Sequence, residues 1–183
     1  SLAGLRCIVD TGCGSYQSAQ IRDECRRTSA HNLPMIEHAE QSDLWAQFRI
    51  GKRARVVHRY FDSEHNRFEM EMLDQYGQRY RREIIFGEAS IRVRDRMFDR
   101  RVTGTFISLL HLAPQVQVVP GNEPGAYDFA VGNCEFRVAT SARLRFEGHV
   151  WYPDFGLPVK AEKLILSNHE TEAIDYVISW KTA

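Results

Sequence analysis

Seven consecutive residues, Arg26-Arg27-Thr28-Ser29-Ala30-His31-Asn32, hold a basic pair, two hydroxyls, an imidazole and a carboxamide. An imidazole carries or releases a proton near neutral pH. A guanidinium presents a planar fork to carboxylate or sulfate. Hydroxyls and a carboxamide orient such groups by directional hydrogen bonds. The structural reading stands beside this one, because Ser, Thr and Asn also satisfy loop backbone and a lone His is commonly just a satisfied polar residue.

Other residues bear on chemistry in two further ways. His31, His38, His58 and His65, with Asp10, Asp43 or Asp74 as oxygen ligands, are the candidates for a metal site. No two of these histidines have a short ligand spacing on one strand face. The aromatic residues Trp45, Tyr60, Tyr76, Trp151 and Tyr152 can stack on sugar rings, with arginines supplying carboxylate partners, or can pack as core and sheet edge. Tyr76 lies in the break Leu73-Asp74-Gln75-Tyr76-Gly77, which favours exposure.

Several classes are excluded. No GxSxG elbow marks a serine hydrolase. Thr11-Gly12-Cys13-Gly14 lacks the spacing of a dinucleotide or phosphate loop. The formal net charge is zero, which removes any global attraction to nucleic acid. Basic charge is nonetheless distinctive in kind, since Lys occurs only at positions 52, 160, 163 and 181 and the rest is Arg. Cys7, Cys13, Cys25 and Cys134 form no CxxC or zinc-finger spacing, and their pairing is open. No apolar run approaches the about 20 residues of a membrane span. Ser1-Leu2-Ala3-Gly4-Leu5 lacks the charged n-region and apolar core of a secretory signal.

The elements that must position these groups read as strands. Leu5 to Val9, Leu33 to Glu37, Trp45 to Ile50 and Arg53 to Phe61 are the first four. Phe68, Met70 and Met72 alternate with Glu69 and Glu71, a period of two that only a strand places on opposite faces. Arg79 to Phe86, Ser90 to Met97 and Val102 to Leu112 follow, then Val116 to Val119 and a turn cluster, Pro120 to Gly125. Gly132-Asn133 joins two strands as a tight hairpin. Leu144 and Phe146 alternate with charges, an aromatic loop spans 148–158, and Lys160 to Leu166 and Ala173 to Trp180 close the chain. Residues 17–30 are polar and could hold a helical turn, with too thin an apolar face to specify a full helix. About a dozen strands at intervals of roughly 8–12 residues predict an all-β antiparallel sandwich, jelly-roll-like, with little helix. The 183 residues form one domain. Its opening directly in a strand-like run points to a piece of a longer protein.

In order along the chain stand Asp10-Thr11-Gly12 with Tyr16, then Arg27-Thr28-Ser29-Ala30-His31-Asn32 followed by Gln41-Ser42-Asp43-Leu44-Trp45 and Phe48 to Ala54, then Leu110-His111-Leu112-Ala113-Pro114, then Trp151-Tyr152-Pro153-Asp154-Phe155-Gly156. With these the chain resembles the C-terminal β-sandwich domain of the heparinase II/III-like polysaccharide lyases. The resemblance implies an upstream α/α toroid and cleavage of uronate-containing acidic polysaccharides by β-elimination. It implies a bacterial protein of the periplasm or cell exterior, with no membrane span and no nucleic-acid partner. It places the principal Tyr, Asn and His on the toroid, so this chain alone is expected to be inactive. From the sandwich it implies His31 and Tyr76 as catalytic and Arg27, Asn32, Asp74, Tyr80 and Arg82 as substrate-binding. No cofactor is required. Some members carry a structural zinc, for which His31 is the one matched candidate, because Leu73 and Tyr80 stand where relatives have His. The alternatives are a non-catalytic carbohydrate-binding or scaffold module of an exopolysaccharide system, and a metal-dependent jelly roll acting alone.

Overall fold

The computed structural model describes residues 1–119 and 123–181. The protein is an all-β antiparallel sandwich. One layer has eight strands: β4 (Arg55–Asp62), β5 (Arg67–Leu73), β6 (Arg79–Phe86), β7 (Ser90–Phe98), β14 (Ala173–Trp180), β11 (Cys134–Thr140), β10 (Ala126–Val131) and β9 (Gln117–Val119), in that spatial order. The other has four, in the order β1 (Pro34–Ile36), β8 (Phe106–His111), β13 (Val159–Asn168) and β12 (Arg143–Trp151). A two-stranded hairpin, β2 (Leu44–Trp45) and β3 (Arg49–Ile50), stands apart.

The alternation in the sequence sets the faces. In β5, Phe68, Met70 and Met72 oppose Ile84, Arg82 and Tyr80 of β6 on one face, while Glu69 and Glu71 oppose Glu83 and Arg81 on the other. The core forms where inward residues of the large sheet (Tyr80, Val93, Met97, Phe129, Val138, Tyr176) meet Ile36, Phe106, Leu110, Leu164 and Leu166 of the small one. A second, separate apolar cluster of Met35, Ile107, Leu109 and Ile165 comes from the alternate positions of β1, β8 and β13. The tight turn at Gly132-Asn133 is present, with Gly132 at φ +57°, where glycine is favoured.

Four expectations need correction. Leu5 to Val9 is not a strand: it makes only isolated bridges, Leu2 with Leu5 and Ile8 with Leu112, because no sheet edge runs along its whole length. Residues 17–30 do hold a helix, α1 (Ala19–Arg26). Its single buried residue is Cys25, so capping and side-chain clamps, not an apolar face, sustain it. Trp45 to Ile50 is not one strand but the β2–β3 turn, reversed through Ala46 at φ +49°. Val102 to Leu112 shortens to Phe106–His111. Of the expected turn cluster, residues 120–122 lie outside the described residues. All four cysteines are free thiols.

Candidate functional site

The segments singled out in the sequence converge on one end of the sandwich. Ser18 caps α1, its Oγ accepting from the Ile21 N–H. The helix ends where Arg27 turns extended, and a 3-10 turn, Thr28–Ala30, follows. Thr28 N–H donates to Glu40 at 2.8 Å, and Thr28 Oγ1 accepts from the Gln41 N–H at 2.9 Å. Thr11 Oγ1 donates to the Ala30 carbonyl at 2.7 Å. Thr28 and Thr11 therefore hold the turn, which leaves His31 at its exit.

His31 Nδ1 lies 2.8 Å from Asp10 Oδ2, and both side chains are partly exposed. The hydrogen bond to Asp10 raises the His31 pKa above its ordinary value, against a smaller opposing effect of burial. Burial pushes the Asp10 carboxyl up, but the hydrogen bond and charge of His31 outweigh it and hold Asp10 low. With Nδ1 committed to Asp10, Nε2 is the nitrogen left to act. The result is an oriented imidazole biased toward its cationic form.

Asn32 braces this pair from behind. Its Nδ2 donates to the Val9 carbonyl at 2.8 Å, and its Oδ1 accepts from the His111 N–H at 2.7 Å. Val9 precedes Asp10, so one side chain fixes both halves of the His31–Asp10 pair. The Asn32 carbonyl accepts from Arg82, which reaches it from inside the sandwich. Gly12 completes the loop: at φ +79°, its Hα side faces the Tyr152 carbonyl so closely that a Cβ would stand 2.4 Å away.

The remaining expected site residues are placed as follows. Tyr76 is exposed on the β5–β6 turn, whose Gln75 bonds Gln41 and Glu40. The loop 38–43 thereby ties Tyr76's turn to the 3-10 turn before His31, though no direct bond between the two residues is described. Asp74 is buried and accepts from the N–H groups of Tyr76 and Gln78 at 2.8 and 2.9 Å, the work of a turn-former. Tyr80 is 2% exposed; its hydroxyl donates to Asp74, and burial drives its pKa upward. Arg82 is bidentate to Asp95, which is fully buried, and also bonds Ser108. Asp74, Tyr80 and Arg82 thus spend their polar atoms inside the chain, since their alternation places them on the inward or turn-closing side. Arg27 is exposed and lines a groove of about 360 Å³ with Ser29, His111, His149 and Lys163; His31 does not line it.

His111 and His149 were not singled out as candidates by spacing. Their rings meet edge to face at 4.7 Å. His111 Nε2 faces the Ser29 carbonyl at 3.1 Å and its Nδ1 faces Asn32 Oδ1 at 3.1 Å. Burial, with the nearby charges of His149 and Lys163, drives its pKa down to about 3, against the opposing pull of the Ser29 carbonyl. The signal available was a single imidazole inside the apolar run Leu109 to Ala113.

The metal set does not assemble. His65, in the β4–β5 turn, pairs with Asp62 at 2.8 Å, and His58 of β4 lies against Glu69. Among the described residues, no three His, Cys, Asp or Glu side chains are grouped to hold a metal.

The family model described as "Heparinase II/III-like, C-terminal" matches residues 1–181. Among solved structures, the heparan sulfate lyase HepC from Pedobacter heparinus superposes with a TM-score of 0.77 at 13% identity, covering 98% of this chain and 29% of that one. The heparinase III BT4657 gene product gives 0.74 at 13% identity, over 98% and 28%. A further heparinase III structure gives 0.64 at 14% identity, over 97% and 28%. None of the curated proteins matches the chain. The chain spans under a third of the length of these structural neighbours, and the likeness at such identities is one of fold.

Proposed function

Because the chain belongs to the heparinase II/III-like C-terminal domain family, we propose that it is the β-sandwich wall of a lyase cleft acting on a uronate-containing acidic polysaccharide. The observation that supports this most is the His31–Asp10 pair at 2.8 Å, braced by Asn32 at an exposed end of the sandwich. In β-elimination a base takes the C5 proton, the C4–O bond breaks, and a C4=C5 double bond forms. The uronate carboxylate next to C5 gathers charge as the proton leaves, so a pre-placed cationic donor there lowers the barrier. Asp10 favours the imidazolium form of His31, which suits a donor to that carboxylate or to the departing oxygen rather than a base. The base, in this reading, comes from an α/α toroid of the same protein, consistent with neighbours more than three times as long. Tyr76 and Arg27 extend the wall. Asn32, Asp74, Tyr80 and Arg82 hold the wall in shape from within. Such a polymer places the protein in the bacterial periplasm or outside the cell.

The test is turnover of the full-length protein on a panel of uronate polysaccharides, read as absorbance of the unsaturated product. His31→Ala is expected to lower kcat by about a hundredfold or more, the scale of a lost proton-transfer group, with the unfolding midpoint little changed. Asp10→Asn is expected to lower the His31 pKa and move the alkaline limb of the pH–rate profile to lower pH. Full activity in His31→Ala would sink the assignment. Binding without product on every polymer would favour the other reading, a carbohydrate-binding or scaffold module, for which the inward commitment of Asp74, Tyr80 and Arg82 is the supporting observation.

A further inference from the structure

The end that carries His31 also carries arginines whose partners are aromatic rings. Arg49 lies 4.7 Å over the Trp45 ring, its cross-strand neighbour in the β2–β3 hairpin. Arg22 of α1 lies 4.9 Å over Tyr16 and 5.6 Å over Phe48 at the hairpin's turn. Tyr16 in turn stacks on Phe155 at 5.2 Å and 28°. Ion pairs at this end are His31–Asp10 and Arg26–Asp23; among the described residues neither Arg22 nor Arg49 has a carboxylate partner.

The rings are open to solvent: Trp45 is 49% exposed, Tyr16 52%, Phe155 61% and Phe48 62%. They are nonetheless held. The Arg26 guanidinium, nearly buried, donates to the Ala46, Gln47 and Arg49 carbonyls at 2.7–2.8 Å, which clamps the hairpin turn onto α1. A clamped turn presenting exposed aromatic rings is a surface made to be covered. Arg49, exposed over Trp45, keeps its guanidinium N–H groups for a sulfate or carboxylate, whereas Arg22 donates to Cys13 Sγ at 3.6 Å and its Nε is buried. The ring faces beside it suit the apolar faces of pyranose rings. Arg49 and Arg22, with no carboxylate partner among the described residues, favour an anionic partner over a neutral one.

The surface continues from the His31–Asp10 pair. Tyr16 lies on the loop that begins at Asp10, and α1 runs through Arg27 into the turn that ends at His31. We propose that this aromatic–arginine surface is a second binding subsite for an anionic glycan, holding sugar units of the polymer beyond the one at His31. The proposal rests on the reading of His31 as facing the glycan, and it assigns the polymer's path to the hairpin and α1.

The experiment is calorimetric titration of the 183-residue chain, which has its own two-layer core, with heparan sulfate, alginate and dextran. These supply sulfate with carboxylate, carboxylate alone, and neither. The chain is expected to bind heparan sulfate or alginate and not dextran, with tryptophan fluorescence changing on binding. Binding of heparan sulfate alone assigns the arginines to sulfate, and binding of both assigns them to carboxylate as well. Trp45→Ala with Arg49→Gln is expected to weaken binding by about tenfold and to reduce its salt dependence. The single Arg49→Gln change, on an exposed hairpin face, shows the same direction should the double variant lose its fold. No binding of either anionic polymer, or unchanged affinity in both variants, overturns the proposal and leaves the surface to a covering domain. Turnover does not enter this measurement, so its failure and that of the His31 assignment are read separately.

Discussion

On the outer face of the large sheet, most arginines are matched to carboxylates; at the His31 end, Arg22 and Arg49 are not. Arg67 bridges Glu69 and Glu83, Arg81 bonds Glu71, Arg94 meets Glu83, and Arg96 is bidentate to Asp175. Glu69 and Glu83 stand directly opposite each other, a like-charge pair that Arg67 relieves. A strand face repeats every second residue, so alternating charges on neighbouring strands find one another once register is set. Loops have no such repeat. At the His31 end Arg22 and Arg49 settle on rings and Arg27 on solvent. Charges already neutralised build the sheet; charges left over are available to a ligand.

Three measurements break or sharpen this contrast. The largest effect is expected inside the sandwich, at the one arginine that reaches from the large sheet to the site. Arg82→Ala leaves Asp95 buried and unpaired and removes the donor to Asn32, costing about 3–5 kcal/mol of unfolding free energy. Arg27→Ala, at the exposed end, is expected to stay within about 0.5 kcal/mol. Equal costs in urea unfolding would erase the distinction between the two sets of arginines.

Acid should act next. The His111 pKa is depressed by burial to about 3, so the unfolded chain takes up a proton near its ordinary value while the folded chain does not. Stability therefore falls as pH drops below about 6.5, by about 3 kcal/mol at pH 4 for this ring. His31 has the opposite sign: its pKa is raised, so its contribution is full below the ordinary value and is lost as pH rises through the raised one. Thermal melts of wild type and His111→Gln across pH 4–7 should differ in slope, with the variant flatter on the acid side. Parallel curves would mean that His111 is not the buried neutral group beneath the site.

The smallest effect belongs to the ladder itself. Arg81 is half exposed and shares Glu71 with Arg79, so Arg81→Ala is expected to cost at most about 1 kcal/mol. A loss of several kcal/mol would show that the ladder is a cooperative network rather than a row of screened surface pairs.

Much of the fold was legible. Phe68 to Met72, Ser90 to Met97 and Gly132-Asn133 reported their strands and hairpin directly, because side-chain alternation and a two-residue turn are local properties. Leu5 to Val9 misled, since an apolar run says that a segment is buried but not that a strand edge awaits it. Helix α1 was missed because it is held by Ser18 and by Arg26 on the hairpin, not by an apolar stripe. At the site, His31 and Asn32 were read from their neighbours. Arg82 and Tyr80 carried a signal that was overlooked: both fall in phase with Ile84 on the inward face, as Asp95 does with Val93 and Met97. Polar residues in apolar phase point to a buried pair rather than to a ligand.

The amino-acid sequence by itself determined the all-β class, the faces of the long strands and the order of the motifs, because each follows from residues within a few positions of one another. Only the tertiary structure decided that Asp10 meets His31 across 21 residues, that Asn32 braces both, and that Arg82 supports the site from inside. Those contacts depend on register between strands far apart in the chain and on how its loops close, which no local pattern encodes.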